Sequence, residues 1–165
     1  MKTKLIILRG NSGSGKSTIA RELRQRMGHG TALIEQDYIR RTLLRERDRP
    51  HLPNIELIGM TAQFALDHSY NVVLEGILQQ ERYGQMLKQL IAGHRGDTFV
   101  YYFNISLEET LSRHKTKPNA HEFGEPELRS WFNPNDILGI PGEQIIPEHF
   151  TFDQTLERIC RDIAT

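Results

Sequence analysis

The sequence predicts a three-layer α/β domain, a parallel sheet carrying helices on both faces. Short apolar runs alternate with helical stretches along the chain. The intervals between those runs are too long for hairpins, so successive strands are joined by crossovers and lie parallel. A glycine-rich segment, Gly10 to Ser17, stands directly between the first apolar run and the first helical stretch. These three observations carry the expectation.

The elements follow in order. Leu5 to Leu8 reads as a buried first strand, bounded by Gly10. Lys16 to Met27 reads as a helix, with Ile19, Ala20, Leu23 and Met27 on one apolar face and Gly28 and Gly30 past its end. Thr31 to Glu35 is a second strand, and Asp37 can cap the helical stretch Tyr38 to Leu44. Pro50 and Pro53 interrupt the pattern before a helix capped by Asn54 and running to about His68. Asn71 to Leu74 is the third strand, Gln80 to Ala92 a helix, and Thr98 to Phe103 the fourth strand. Ser106 and Glu109 are spaced as a capping box for a helix to about His114. Lys115 to Gly124 reads as irregular and Pro126 to Trp131 as a short helix, before a last strand at Gln144 to Ile146 and a closing helix at Thr155 to Ile163.

Composition bounds the function. The chain has 165 residues, expected to form one domain over residues 1–165, with a mean hydropathy of −0.51. Lys+Arg and Asp+Glu both number 21, so no excess cation favours a nucleic-acid backbone or an anionic membrane surface. Cys160 has no partner for an internal disulfide. The Leu5–Leu8 run is too short for a signal-peptide core, and nothing approaches a membrane span. The expectation is a cytoplasmic protein, with its oligomeric state left open.

Gly10-Asn11-Ser12-Gly13-Ser14-Gly15-Lys16-Ser17 fits G-x-x-x-x-G-K-[ST] in full, and Thr18 follows. Glycines let backbone N–H groups turn inward around a phosphate, and the helix start adds further donors and a favourable dipole. Lys16 is placed to reach the β- and γ-phosphates and the Ser17 hydroxyl to ligate Mg²⁺. The pattern therefore predicts a bound nucleoside triphosphate with magnesium. The chain has no Asn-Lys-x-Asp for reading guanine. Asp136 to Gly139 fits D-x-x-G, but it follows Pro134 and Asn135 rather than a buried strand and reads as a turn.

With these residues in view the chain resembles the small P-loop kinases, and within them the branch of zeta toxins, chloramphenicol phosphotransferase and polynucleotide kinase domains. Besides the phosphate loop, Ile34 to Arg40 is similar to that branch's strand followed by D-x-x-R. Val72 to Gly76 is similar to its strand ending in Glu-Gly, and Ser106 to Lys117 to the helix entering a basic lid, about residues 113–131 here. The resemblance implies a P-loop NTPase fold with five parallel strands in the order 2-3-1-4-5. It also implies ATP as the donor.

The residues can be weighed independently. Asp37 lies just past the second strand, on the crevice shared with the phosphate loop, where a carboxylate can take the proton of an attacking hydroxyl. Its alternative is to cap the next helix. Arg40, one turn on, can hold a substrate anion or the transferring phosphoryl group, or simply pair with Asp37. Glu75 can bind the acceptor or support the metal through water, or be a structural acid. Arg113, Lys115, Lys117 and Arg129 supply cations near the lid, of which the guanidinium forks of Arg113 and Arg129 best suit phosphate. His114 and His121 have no third metal partner at suitable spacing. The run Arg40, Arg41, Arg45, Arg47 and Arg49 fits either an anionic acceptor or a charged helix face. The leading expectation is an ATP-dependent kinase that phosphorylates a hydroxyl of a small molecule, with Lys16, Asp37, Arg113 and Arg129 catalytic and Asp37, Arg40 and Glu75 contacting substrate. A polynucleotide 5′-hydroxyl kinase and a nucleotide-binding regulatory protein are the alternatives.

Overall fold

A computed structural model of the chain describes residues 2–47, 49–115 and 124–164, the side chains of 114 and 115 excepted. Its elements are β1 (Lys4–Gly10), α1 (Lys16–Met27), β2 (Thr31–Glu35), a π-helical turn (Tyr38–Leu43), α2 (Pro53–Asp67), β3 (Asn71–Gly76), α3 (Gln80–Gly93), β4 (Asp97–Asn104), α4 (Leu107–Lys115), α5 (Glu125–Trp131), β5 (Glu143–Pro147) and α6 (Phe152–Ala164). The five strands form one sheet in the order β2-β3-β1-β4-β5, every neighbouring pair parallel.

Both faces of this sheet are covered, which is why β1 is apolar at every position from Leu5 to Leu8 rather than alternating. Leu5 and Ile7 join Val72 and Leu74 beneath Ile58, Ala62, Tyr83 and Leu87 of α2 and α3. Ile6 and Leu8 face the other way, with Val73 and Tyr101, against Ile19 and Leu23 of α1 and Leu156 and Ile159 of α6. Side chains alternate across a strand, so one continuous apolar run feeds two cores.

The strands extend beyond the expected apolar runs. β3 continues through Glu75 to Gly76, so Glu75 sits inside the sheet rather than past it. Two expected caps are replaced by other partners. Asn54 is not the cap of α2: the helix starts at Pro53 with Leu52 at the N-cap position, and Asn54 is fully buried, its Nδ2 donating to the Tyr83 hydroxyl at 2.9 Å. Proline at the first helical position suits that start, because its fixed φ and missing N–H cost nothing there. Asp37 does not cap the π-helical turn either; its φ is already helical and its carboxylate turns to arginines instead. Half of the capping box at α4 is present: Ser106 Oγ accepts the Glu109 N–H at 3.3 Å, while the Ser106 N–H donates to Glu148 and Glu109 takes Arg113. Asp136 lies in irregular chain after Pro134, as its setting in the sequence implied.

Among the described residues, no helix is long and apolar enough to cross a membrane.

Candidate active site

The carboxyl ends of β1, β2 and β3 meet at one edge of the sheet. Register sets Glu35 of β2 level with Glu75 of β3, and Glu75 level with Leu8 of β1. Asp37, two residues past Glu35, and the phosphate loop, two residues past Leu8, therefore open on the same crevice.

The loop from Gly10 to Gly15 turns on three glycines with positive φ, at 148°, 82° and 94° for Gly10, Gly13 and Gly15. Space adds a second reason at two of them. A Cβ on Gly10 would stand 2.8 Å from the Phe103 carbonyl oxygen, and one on Gly13 would stand 3.0 Å from Thr110 Cγ2. No side chain caps α1 and no acid stands in its first turn. The N-terminal N–H groups are thus left as donors to an anion, aided by the helix dipole.

Lys16 is buried, its Nζ donating to the Asn11 carbonyl at 2.8 Å and to Ser14 Oγ at 3.1 Å. Asn11 fixes the loop from outside: its Nδ2 donates to the Asn133 carbonyl at 2.8 Å, and its Oδ1 accepts the Asn133 N–H at 2.9 Å. This reciprocal pair ties the loop to the chain just after α5.

Ser17 Oγ donates to Glu75 Oε1 at 3.1 Å. Burial pushes the Glu75 carboxyl up from its usual 4.5; the nearby Lys16 ammonium and the Ser17 hydroxyl oppose that, and the Glu35 and Asp37 charges reinforce it. The pair fits Mg²⁺ chemically, since both side chains offer hard oxygen and one carries charge. Among the described residues no group of three or more His, Cys, Asp or Glu forms a metal cluster.

Asp37 stands exposed at the crevice, with Arg40 Nη2 at 2.9 Å and Arg41 Nε at 3.4 Å from the same carboxylate oxygen. Arg40 is buried, and its Nε finds no hydrogen-bond partner. Arg113 reaches the phosphate loop: Nη1 lies 3.4 Å from the Ser14 carbonyl, Nη2 3.1 Å from the Glu148 carbonyl, and Nε 2.6 Å from Glu109 Oε1. It stands in the wall of a cavity of about 270 Å³, with Thr18, Phe103, Ile105, Ile146 and Phe150 also lining it. Arg129 is exposed on α5 and pairs with Glu125 one turn earlier. Nothing described brings it to the loop. Lys117 and His121, and the side chains of His114 and Lys115, lie outside the described residues.

Three neighbours of the site went unmarked in the sequence: Glu35, level with Glu75; Asn11 in its clamping role; and Gln36. A glutamine between a strand and an acid carries no signature of its own. Only Gly76, across whose face the Gln36 side chain lies, hints that something passes close there.

A strand, a glycine loop with its lysine and serine, and a helix, set on a parallel 2-3-1-4-5 sheet, define the P-loop class in the arrangement of the small P-loop kinases. The family model described as AAA domain matches residues 5–130, and the chain belongs to that family. Among solved structures, it is similar to the Mycobacterium tuberculosis APS kinase CysC in complex with AMPPNP and APS, at 16% identity over 99% of both chains with a TM-score of 0.72. It is also similar to a gluconokinase from Sinorhizobium meliloti 1021, at 15% identity over 99% of this chain and 95% of that one, with a TM-score of 0.69. A chain of the Pnkp1/Rnl/Hen1 RNA repair complex shares 20% identity over 78% of this chain and 42% of that one, with a TM-score of 0.60. At these identities the likeness is one of fold. No curated protein matches the sequence significantly.

Proposed function

We propose that this chain is an ATP-dependent kinase that moves the γ-phosphoryl group to a hydroxyl of a small-molecule acceptor. The observation that carries the reading is the shared crevice: an exposed carboxylate, Asp37, faces the same sheet edge as a complete phosphate loop. A switch or a simple nucleotide store needs the loop but has no use for a base beside it. Neighbours of the same fold support the reading, being described as APS kinase and gluconokinase.

The residues divide the work as follows. Backbone N–H groups from Gly10 to Ser17, with Thr18 beside them, enclose the β-phosphate, and Lys16 exchanges its loop carbonyl for phosphate oxygens. Ser17 would hold Mg²⁺, backed by Glu75, and the ion supplies neutralisation of the β- and γ-oxygens when bound. The acceptor oxygen forms a bond to the γ-phosphorus as the bond to the β,γ-bridging oxygen breaks. Its proton passes to Asp37, and the electron pair leaves on ADP. Arg40, paired with Asp37 at the crevice, and Glu75 contact the acceptor. Arg113 closes the nucleotide side of the crevice, where the apolar cavity beside it suits a base. Arg129 stands away from the loop on α5 and would serve the transferring group only after leaving Glu125. Its exposed pair with Glu125 is worth only about 0.3–0.5 kcal/mol and is readily exchanged for a phosphate. The chain is read as a single kinase domain, residues 1–165; of the lid expected over about 113–131, residues 116–123 lie outside the described residues.

The test is ATP consumption with Mg²⁺ against nucleosides, sugars, aminoglycosides, chloramphenicol-type and nucleoside antibiotics, UDP-sugars and 5′-hydroxyl RNA. One acceptor is expected to raise consumption well above the rate in water and to yield a phosphorylated product. Asp37→Asn should lower that turnover by roughly 10²–10⁴ while leaving nucleotide affinity nearly intact. A response to RNA alone would select the polynucleotide kinase. Turnover that ignores every acceptor and survives Asp37→Asn would favour the regulatory reading.

A further inference from the structure

The bonds of Asp37 run to two arginines of its own turn, buried Arg40 and half-exposed Arg41, and none ties it to the strands that carry the phosphate loop; the residue before it makes that connection. Gln36 is that neighbour, and it is only 2% exposed. Its Oε1 accepts the Leu78 N–H at 2.9 Å, and its Nε2 donates to the Tyr83 hydroxyl at 2.8 Å. The same hydroxyl takes Asn54 of α2 at 2.9 Å. One side chain thus ties the end of β2 to the loop after β3 and to helices α3 and α2.

The loop it grips is strained. Leu78 has a φ of 44°, a left-handed conformation that a leucine adopts only when its surroundings enforce it. Gln36 holds its N–H, and Arg9, the residue before the phosphate loop, holds its carbonyl through Nε at 3.2 Å and Nη2 at 3.0 Å. Gly76 leaves room for the arrangement, because a Cβ there would come 2.6 Å from Gln36 Cβ. The chain from Arg9 through Leu78 to Gln36 is continuous, buried and directional. It spans the distance between the phosphate loop and the acid at the crevice.

We propose that Gln36 is a positioning residue for phosphoryl transfer: locked between Leu78 and Tyr83, it sets the backbone of Asp37 at a fixed distance from the phosphate loop. The inference rests on Asp37 acting as the base. Misplacing a reacting group by about 1 Å can cost roughly 10²-fold in rate, so a loosened Gln36 should be felt in turnover rather than in nucleotide binding.

The experiment is a double-mutant cycle between Gln36→Met and Asp37→Asn. Turnover is read as Mg²⁺-ATP consumption with the accepting compound from the panel above, or with water where none exceeds it, beside the affinity for a non-hydrolysable ATP analogue. Gln36→Met keeps the length of the side chain and removes both polar atoms. It should lower kcat by roughly 10- to 100-fold with analogue affinity within about twofold, and Asp37→Asn should then cost several-fold less than in the parent. Equal costs of Asp37→Asn in both backgrounds would overturn the proposal while leaving the base in place. No cost of Asp37→Asn in the parent would overturn the base reading and the proposal with it. Should Gln36→Met fail to give a cooperative thermal transition, Tyr83→Phe removes only the hydroxyl that holds Nε2. The same loss of coupling to Asp37→Asn is expected there, to a smaller degree, and additivity would again refute it.

Discussion

Glu75 shows how much a single residue's surroundings decide. It was legible in the sequence as the acid ending an apolar strand, but its choice between substrate, metal and scaffold was not. The structure pairs it with Ser17 and buries it, and burial raises its pKa above 4.5. Between 4.5 and the raised value the folded chain binds more protons than the unfolded one, so this group's contribution to stability falls as pH rises through that window. Activity should run the other way, because the ionised carboxylate carries the charge that can stand behind a cation, whereas the protonated one still accepts from Ser17 but offers no charge. A pH profile of kcat is expected to rise with ionisation of this group, and Glu75→Gln should remove that ionisation from the acidic limb. An acidic limb unchanged in Glu75→Gln would assign the titration elsewhere. Asp37 was legible for a different reason: it stands two residues past the end of a strand, and the carboxyl ends of parallel strands share one edge of the sheet. Gln36 and Arg9 were not, since their roles lie in partners far off in the chain, 42 residues away for Leu78 and 127 for Asp136.

At the scale of elements, the phosphate loop was legible in full because its motif demands the same backbone wherever it occurs. The helices α1 and α3 were legible from their apolar faces, with α1 matching its expected bounds at Lys16 and Met27. Caps were harder to read. A Ser, Asp or Asn beside a helix can cap it locally or serve a distant partner, and here Asn54 went to Tyr83 and Asp37 to arginines. The π-helical turn had no distinct signature, since its six residues read as ordinary helix. The least legible feature joins elements: buried Arg9 bridges Asp136 at 3.2 Å and Glu143 at 2.9 Å, linking β1 to β5 and to the turn before it. Asp136 also accepts the Gln80 N–H, the first of α3. Arg9→Met would leave two acids without their cation in a site where burial already pushes the Asp136 carboxyl up. A loss of about 3–5 kcal/mol of stability is expected in denaturant unfolding, the usual cost of breaking one side of a buried ion pair. A loss below about 1 kcal/mol would mean that water replaces the guanidinium.

Across the whole molecule, the three-layer architecture was legible because continuous apolar strands need cover on both faces. The strand order was not readable from the strands themselves. β1, β3 and β4 are all apolar runs, and nothing local says which lies beside which; the order came through the resemblance to small P-loop kinases. The sheet puts β3 between β2 and β1, and that single topological fact brings Asp37 to the phosphate loop. The formal charge of zero leaves recognition to this crevice rather than to a long-range field, which favours a compact acceptor over a nucleic-acid backbone. The most direct measurement follows the label from γ-³²P-ATP, with Mg²⁺ and the acceptor panel, in the parent chain and in Lys16→Ala. Label is expected in a phosphorylated acceptor, exceeding that in free phosphate and lost in Lys16→Ala. Label found only as free phosphate, or transfer undiminished by Lys16→Ala, would contradict it.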